Sequence, residues 1–190
     1  MNLRRRAVLL GLPATLAGCS TTPVPTATLP FDPELGWADP ARQAIIHTAY
    51  VFAAPASLAG RPWEAAEAIS QAEFLAVELT YGPRWIEMTL APGAFVQARP
   101  EWRAALGIDQ AAAPQAVIDA FTAVRYAYGA QNPAAAAAAL RPPLFTPGGE
   151  VTLGVLSNLP PLPRTAWAAI LAQREMWRIQ RPGAFGNPWR

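Results

Sequence analysis

The sequence contains no lysine, one cysteine (Cys19) and one histidine (His47). Without lysine no side-chain amine can form a Schiff base, and every basic residue is an arginine. One cysteine cannot close a disulfide within the chain, so the fold must be held by packing. One histidine falls short of the His and Cys clusters that hold zinc, and the Glu-x-x-His motif of di-iron helix bundles does not occur. Ser57, Ser70 and Ser157 lack the Gly-x-Ser-x-Gly setting of a hydrolase nucleophile. Pro147-Gly148-Gly149 lacks the lysine and helix that would make it a phosphate-binding loop. No interior run approaches the roughly 20 apolar residues of a membrane span. These absences argue against an enzyme, and no metal or cofactor is expected.

Apolar residues make up 52 % of the chain, including seven Trp and seven Phe, which is enough for a substantial core. The formal charge of +2 comes from 15 basic and 13 acidic residues, but three of the arginines are Arg4, Arg5 and Arg6. Without them twelve basic residues face thirteen acidic ones, a net −1, so the composition offers nothing to a nucleic acid.

Those arginines open an export-signal layout: a basic start, a short apolar run from Ala7 to Leu12, then Pro13 and small residues. The closing Leu16-Ala17-Gly18-Cys19 resembles the lipobox of bacterial lipoproteins, which implies cleavage before Cys19 and lipidation of its thiol. Arg5 and Arg6, followed by Ala7 and the apolar Val8-Leu9, also resemble a twin-arginine export motif; an ordinary basic leader fits the same residues. Ser20 after the cysteine, where an acidic residue would mark inner-membrane retention, implies the outer membrane of a bacterial envelope, with the domain facing the periplasm.

The chain thus divides into a signal (1–18), a lipidated Pro/Thr-rich tether (19–38) and one domain (39–190). Pro23, Pro25, Pro30 and Pro33 favour extended polyproline geometry in the tether, with disorder expected to about Leu29 and contact with the domain beyond it, through Phe31, Leu35 and Trp37.

The domain reads as all-α, a bundle of about five helices punctuated by proline at the first position and glycine or proline past the last. Asp39-Pro40 starts the first helix, and Pro62 starts the second, which runs to Gly82-Pro83 with Ala65, Ile69, Ala72, Ala76 and Leu79 on one face. Residues 84–90 read as a linker packed by Trp85 and Met88. Pro92-Gly93 is expected to break the chain, with a turn at Phe95 and a short helix from Pro100 to Leu106. Pro114 to Tyr128 is the clearest amphipathic helix, with Gly129 as its cap, and Pro133 leads a run of alanines whose small surface lets a neighbour approach closely. Val151 to Leu156 reads as a helical turn. Thr165 is expected to cap a last helix to about Gln180, with Trp167, Ile170 and Leu171 making its first half apolar and Arg174, Arg178 and Arg181 continuing the same side.

Two residues could carry acid–base chemistry. His47 lies on a mainly apolar side of the first helix, where a hydrogen-bonded structural role competes with one as base or ligand. Glu73 falls at the edge of the apolar stripe of the second helix, so its carboxylate needs a partner, with His47, Arg42 or another arginine as candidates. Trp177, Arg178, Arg181, Phe185 and Trp189 could form a partner-binding end, since aromatics and arginine concentrate at binding hot spots; burial in the core is the competing reading. The function expected is that of a membrane-anchored, non-catalytic scaffold or accessory subunit for another envelope protein. The alternatives are a carrier of a small apolar or lipid-like ligand held between alanine-faced helices and, further off, an enzyme using His47 and Glu73.

Overall fold

The computed structural model describes residues 24–31 and 38–180. The described domain is all-α: α1 (Pro40–Ala53), α2 (Pro62–Tyr81), α3 (Ala91–Leu106), α4 (Pro114–Gly129), α5 (Pro133–Ala139), α6 (Gly149–Ser157) and α7 (Pro163–Gln180), with short 3-10 turns at Pro55–Leu58 and Pro83–Trp85. Proline opens five of these helices, where its missing N–H would have had no helical partner in any case.

The second helix is the centre of the molecule. Fourteen of its twenty residues are buried, because α1, α3, α4 and α6 all pack against it. The last helix lies across α1 and α3, and α5 covers α4 and α6. At the head of α1 the Asp39 side chain accepts from the Ala41 N–H at 3.1 Å and pairs with Arg84 at 2.6 Å.

The expected break at Pro92-Gly93 is absent, and α3 is one helix of sixteen residues. Pro92 sits in its first turn, where proline is tolerated, and Pro100 lies on the exposed side. Ala91, Ala94, Phe95, Ala98, Trp102 and Leu106 form a continuous buried stripe, which packing preserves through both prolines. Gly107 ends the helix as expected, with a left-handed φ of 64°.

The start of α7 also differs from expectation. It begins at Pro163, and Thr165 lies inside its first turn; the capping group comes from α3 instead. Glu101 accepts from the backbone N–H groups of Arg164 (3.1 Å) and Thr165 (2.8 Å) and from the Thr165 hydroxyl (2.7 Å). The reverse contact is made at the other end, where Glu175 of α7 accepts from Leu90 (3.2 Å) and Ala91 (3.1 Å) at the start of α3. Each helix of this antiparallel pair therefore places a carboxylate on the other's N-terminus, matching both the orphan N–H groups and the dipole. The buried side of α7 is Thr165, Ala168, Ala169, Ala172, Glu175 and Met176, not the apolar side that starts at Trp167: small side chains allow close contact and Trp167 is exposed.

Three smaller corrections follow from local geometry. Gly129 is the last helical residue of α4, and the left-handed position falls on Gln131 at φ 54°. The sequence 149–157 makes a full helix, not a single turn. The segment before the domain makes contact before Leu29: the Gln115 side-chain amide brackets Thr28, accepting from its N–H at 2.8 Å and donating to its carbonyl at 3.2 Å, while Ala27 and Leu29 pack on the core. Phe31, expected to dock, is exposed; Leu35 and Trp37 lie outside the described residues.

The alanine run does admit a close neighbour. Gly149 lies so near α5 that a Cβ added there would overlap the Ala137 carbonyl, whereas Gly154 faces open space. Gly149→Ala should therefore cost about 2 kcal/mol or more through overpacking against backbone. Gly154→Ala, mid-helix and unobstructed, should gain about 0.5–1 kcal/mol. Urea unfolding of the two variants checks the opposite signs.

Candidate functional site

Glu73 is fully buried in the body of α2, so an unpaired carboxylate there would not survive ionised. The partner is Arg103 of α3. Its Nε donates to Glu73 Oε1 at 2.7 Å and its Nη2 to Oε2 at 2.8 Å, a bidentate pair, and Trp102 Nε1 donates to Oε1 at 2.9 Å. The Arg103 Nη1 group reaches the carbonyls of Asp109 (3.2 Å), Gln110 (3.0 Å) and Ala112 (2.9 Å), holding the loop after α3. Arg99 adds a longer contact at 3.5 Å. Burial pushes the Arg99 guanidinium below its ordinary pKa, and the Glu73 carboxylate opposes that effect. Every oxygen of Glu73 is occupied by α3, which leaves none for a substrate.

His47 is engaged elsewhere. Its Nδ1 lies 2.6 Å from Gln71 Oε1, within hydrogen-bond distance. Gln71 and Glu73 are two residues apart on α2 and thus project in different directions, so the structure does not bring His47 and Glu73 into one pair. Arg42, the other partner considered for Glu73, instead lies over the Trp177 ring at 4.9 Å and donates to Gln180. Among the described residues no three His, Cys, Asp or Glu side chains gather as metal ligands, and no helix is long and apolar enough to cross a membrane.

Beyond Gln71 the polar contacts continue. Gln71 Nε2 donates to Glu67 Oε1 at 3.4 Å, and Glu67 Oε2 pairs with Arg125 of α4 at 3.2 Å. This line from α1 over α2 to α4 borders a cleft of about 250 Å³, whose apolar wall is the extended segment Leu29-Pro30-Phe31 with Pro40. Ser70 lies on the same side of α2. The expected cavity between alanine-faced helices is not where this cleft lies, since α5 is closed against α6 at Gly149.

Of the aromatic end, Trp177 is 43 % exposed and Arg178 donates to the Glu87 carbonyl at 3.0 Å. Arg181, Phe185 and Trp189 lie outside the described residues, as do Arg5, Arg6 and Cys19. The sequence reading did not anticipate the side of α7 that carries Trp167 (59 % exposed), nor Ile46 (37 %) and Tyr50 (70 %), which repeat at helical spacing with Arg42 on α1. Arg42 near the start of α1 meets Trp177 and Gln180 at the end of α7, so the two helices run antiparallel with Trp177 beside the Arg42 side of α1, whereas Trp167 stands where α7 borders Ala94, Gln97 and Ala98 of α3. The signal was present as the 42, 46, 50 spacing on α1. Comparison with family models, curated proteins and solved structures finds no match in any of the three.

The Glu73 network has a direct test. Glu73→Gln removes the charge opposite a buried Arg103, and breaking such a pair typically costs about 3–5 kcal/mol. Chemical denaturation of the variant should show a loss in that range; a loss under about 1 kcal/mol would mean the pair does not hold α3 to α2.

Proposed function

We propose that this chain is a bacterial envelope lipoprotein, anchored through a lipid on Cys19, that acts without catalysis by presenting a helical face to another envelope protein. The observation that carries this reading is the outer side of α1 and α7, where Ile46, Tyr50 and Trp177 stand in solvent beside Arg42 and Trp167 stands exposed where α7 borders α3, while the opposite sides of both helices are buried. Aromatic side chains flanked by arginine, here Arg42, Arg174 and Arg178, are the composition of interface hot spots. The carboxylate best placed for chemistry is consumed by Arg103 and Trp102, which supports binding over catalysis. The lipobox-like Leu16-Ala17-Gly18-Cys19 supports the anchor, and Ser20 the outer membrane.

Two experiments test it. Cys19→Ala should release the protein from membranes on fractionation; a variant that stays fully membrane-bound overturns the anchor. Affinity purification of the native protein from solubilised envelopes should recover a stoichiometric partner that Trp167→Ser/Trp177→Ser loses, as hot-spot truncations of about 2 kcal/mol or more each predict. A partner retained undiminished by the double variant places the interface elsewhere and overturns the role of this face.

A further inference from the structure

We propose that the cleft between α1, α2, α4 and the 29–31 segment is a binding site for a small amphipathic carboxylate. Ser70 provides the first indication. It is only 3 % exposed, lines the cleft, and its Oγ has no hydrogen-bond partner among the described residues. The helical threonines show what such a hydroxyl ordinarily does: Thr48 donates to the Ala44 carbonyl at 2.6 Å and Thr80 to the Ala76 carbonyl at 2.9 Å. Ser70 makes no such bond to Ala66. A buried hydroxyl left unmatched is costly, and since Ser70 lines the cleft, a turn of its side chain about χ1 would offer the hydroxyl to a ligand oxygen there.

Arg125 decides the charge of that ligand. Its one ion pair among the described residues is to Glu67, through Nη2 alone, so the rest of the guanidinium fork is open to a second carboxylate. Leu29, Pro30, Ala38 and Pro40 offer an apolar surface for the ligand's body, and about 250 Å³ suits a short acyl or single-ring compound. Glu67 competes for Arg125 and so limits affinity, which gives the site a variant expected to strengthen it.

Sodium octanoate is the probe, with octan-1-ol as its uncharged counterpart, titrated calorimetrically into the full chain carrying Cys19→Ala so that no acyl anchor requires detergent. Octanoate should bind saturably, one per chain. Arg125→Gln should weaken it about tenfold or more, as for loss of a charge-assisted bond, and Ser70→Ala about threefold to tenfold. Glu67→Gln should tighten it severalfold, a change of sign that partial unfolding cannot imitate. Equal affinity in all three variants, no saturable binding, or octan-1-ol binding as well as octanoate would each overturn the proposal. The inference stands apart from the α1–α7 face: Trp167→Ser/Trp177→Ser should leave octanoate binding unchanged, so failure of one reading is not failure of the other.

Discussion

The ion pair between Glu73 and Arg103 is the constraint around which the domain is arranged. A carboxylate in the middle of the most buried helix is tolerable only if its charge is met and its lone pairs are filled, and α3 does both with two consecutive residues, Trp102 and Arg103. That fixes the rotation of α3 about its axis and its register along α2. The same guanidinium then gathers three carbonyls of the loop after Gly107. The loop in turn lies against the segment before α6, where Ile108 and Phe145 form an isolated antiparallel bridge and Phe145 meets Phe121 edge to face at 5.2 Å. One charge pair thus links α2, α3, the following loop and the α4–α6 side of the core. Hydrocarbon of equal volume could fill the space, but it would not specify the register, which is the role best attested for buried polar groups.

The carboxylates Glu101 and Glu175 add a second, reciprocal constraint. Each lies late in one helix and satisfies the first N–H groups of its antiparallel neighbour. Because the contacts sit at opposite ends of the α3–α7 pair, sliding one helix along the other would break both. Alanines along the buried side of α7 let the helices approach closely enough for these short reaches, and close approach is what turns the large Trp167 and Trp177 outward. The exposed aromatic face and the double cap are therefore two results of the same small-residue packing.

Much of the helical architecture was legible in the sequence because proline at a first helical position acts locally: Pro40, Pro62, Pro114 and Pro133 each start the helix they announce. The failures are non-local. Pro92-Gly93 reads as a break and Pro100 as the start of a separate short helix, yet α3 is continuous because its buried stripe outweighs one lost hydrogen bond on the solvent side. The need of Glu73 for a partner followed from its helical angle alone, but the partner could not be named while α3 was read as two pieces. Ser70 and Arg125 gave no signal, since a serine in an alanine-rich helix and an arginine on an amphipathic one are ordinary until α1, α2 and α4 are placed around a common cleft. Trp177 stood out in the sequence as a partner-binding candidate, with burial as the competing reading; Trp167 did not, because large aromatics usually bury, and only the small residues on the other side of α7 decide that it does not.

The contact at Thr28 bears on how an anchored domain would sit. A free tether from Cys19 to Ala38 could extend roughly 60 Å at polyproline spacing. The bracket of Gln115 around the Thr28 backbone ends that freedom ten residues earlier, and the nine steps from Cys19 to Thr28 span at most about 32 Å. On the lipid-anchored reading, the start of α4 and the cleft walled by Leu29 and Pro30 would thus be held within that distance of the bilayer. An amphipathic ligand leaving a membrane would meet this side of the domain at short range. The α1–α7 face has no such leash: its position follows from how the whole domain is oriented above the anchor, which a partner docked on Tyr50, Trp167 and Trp177 would set.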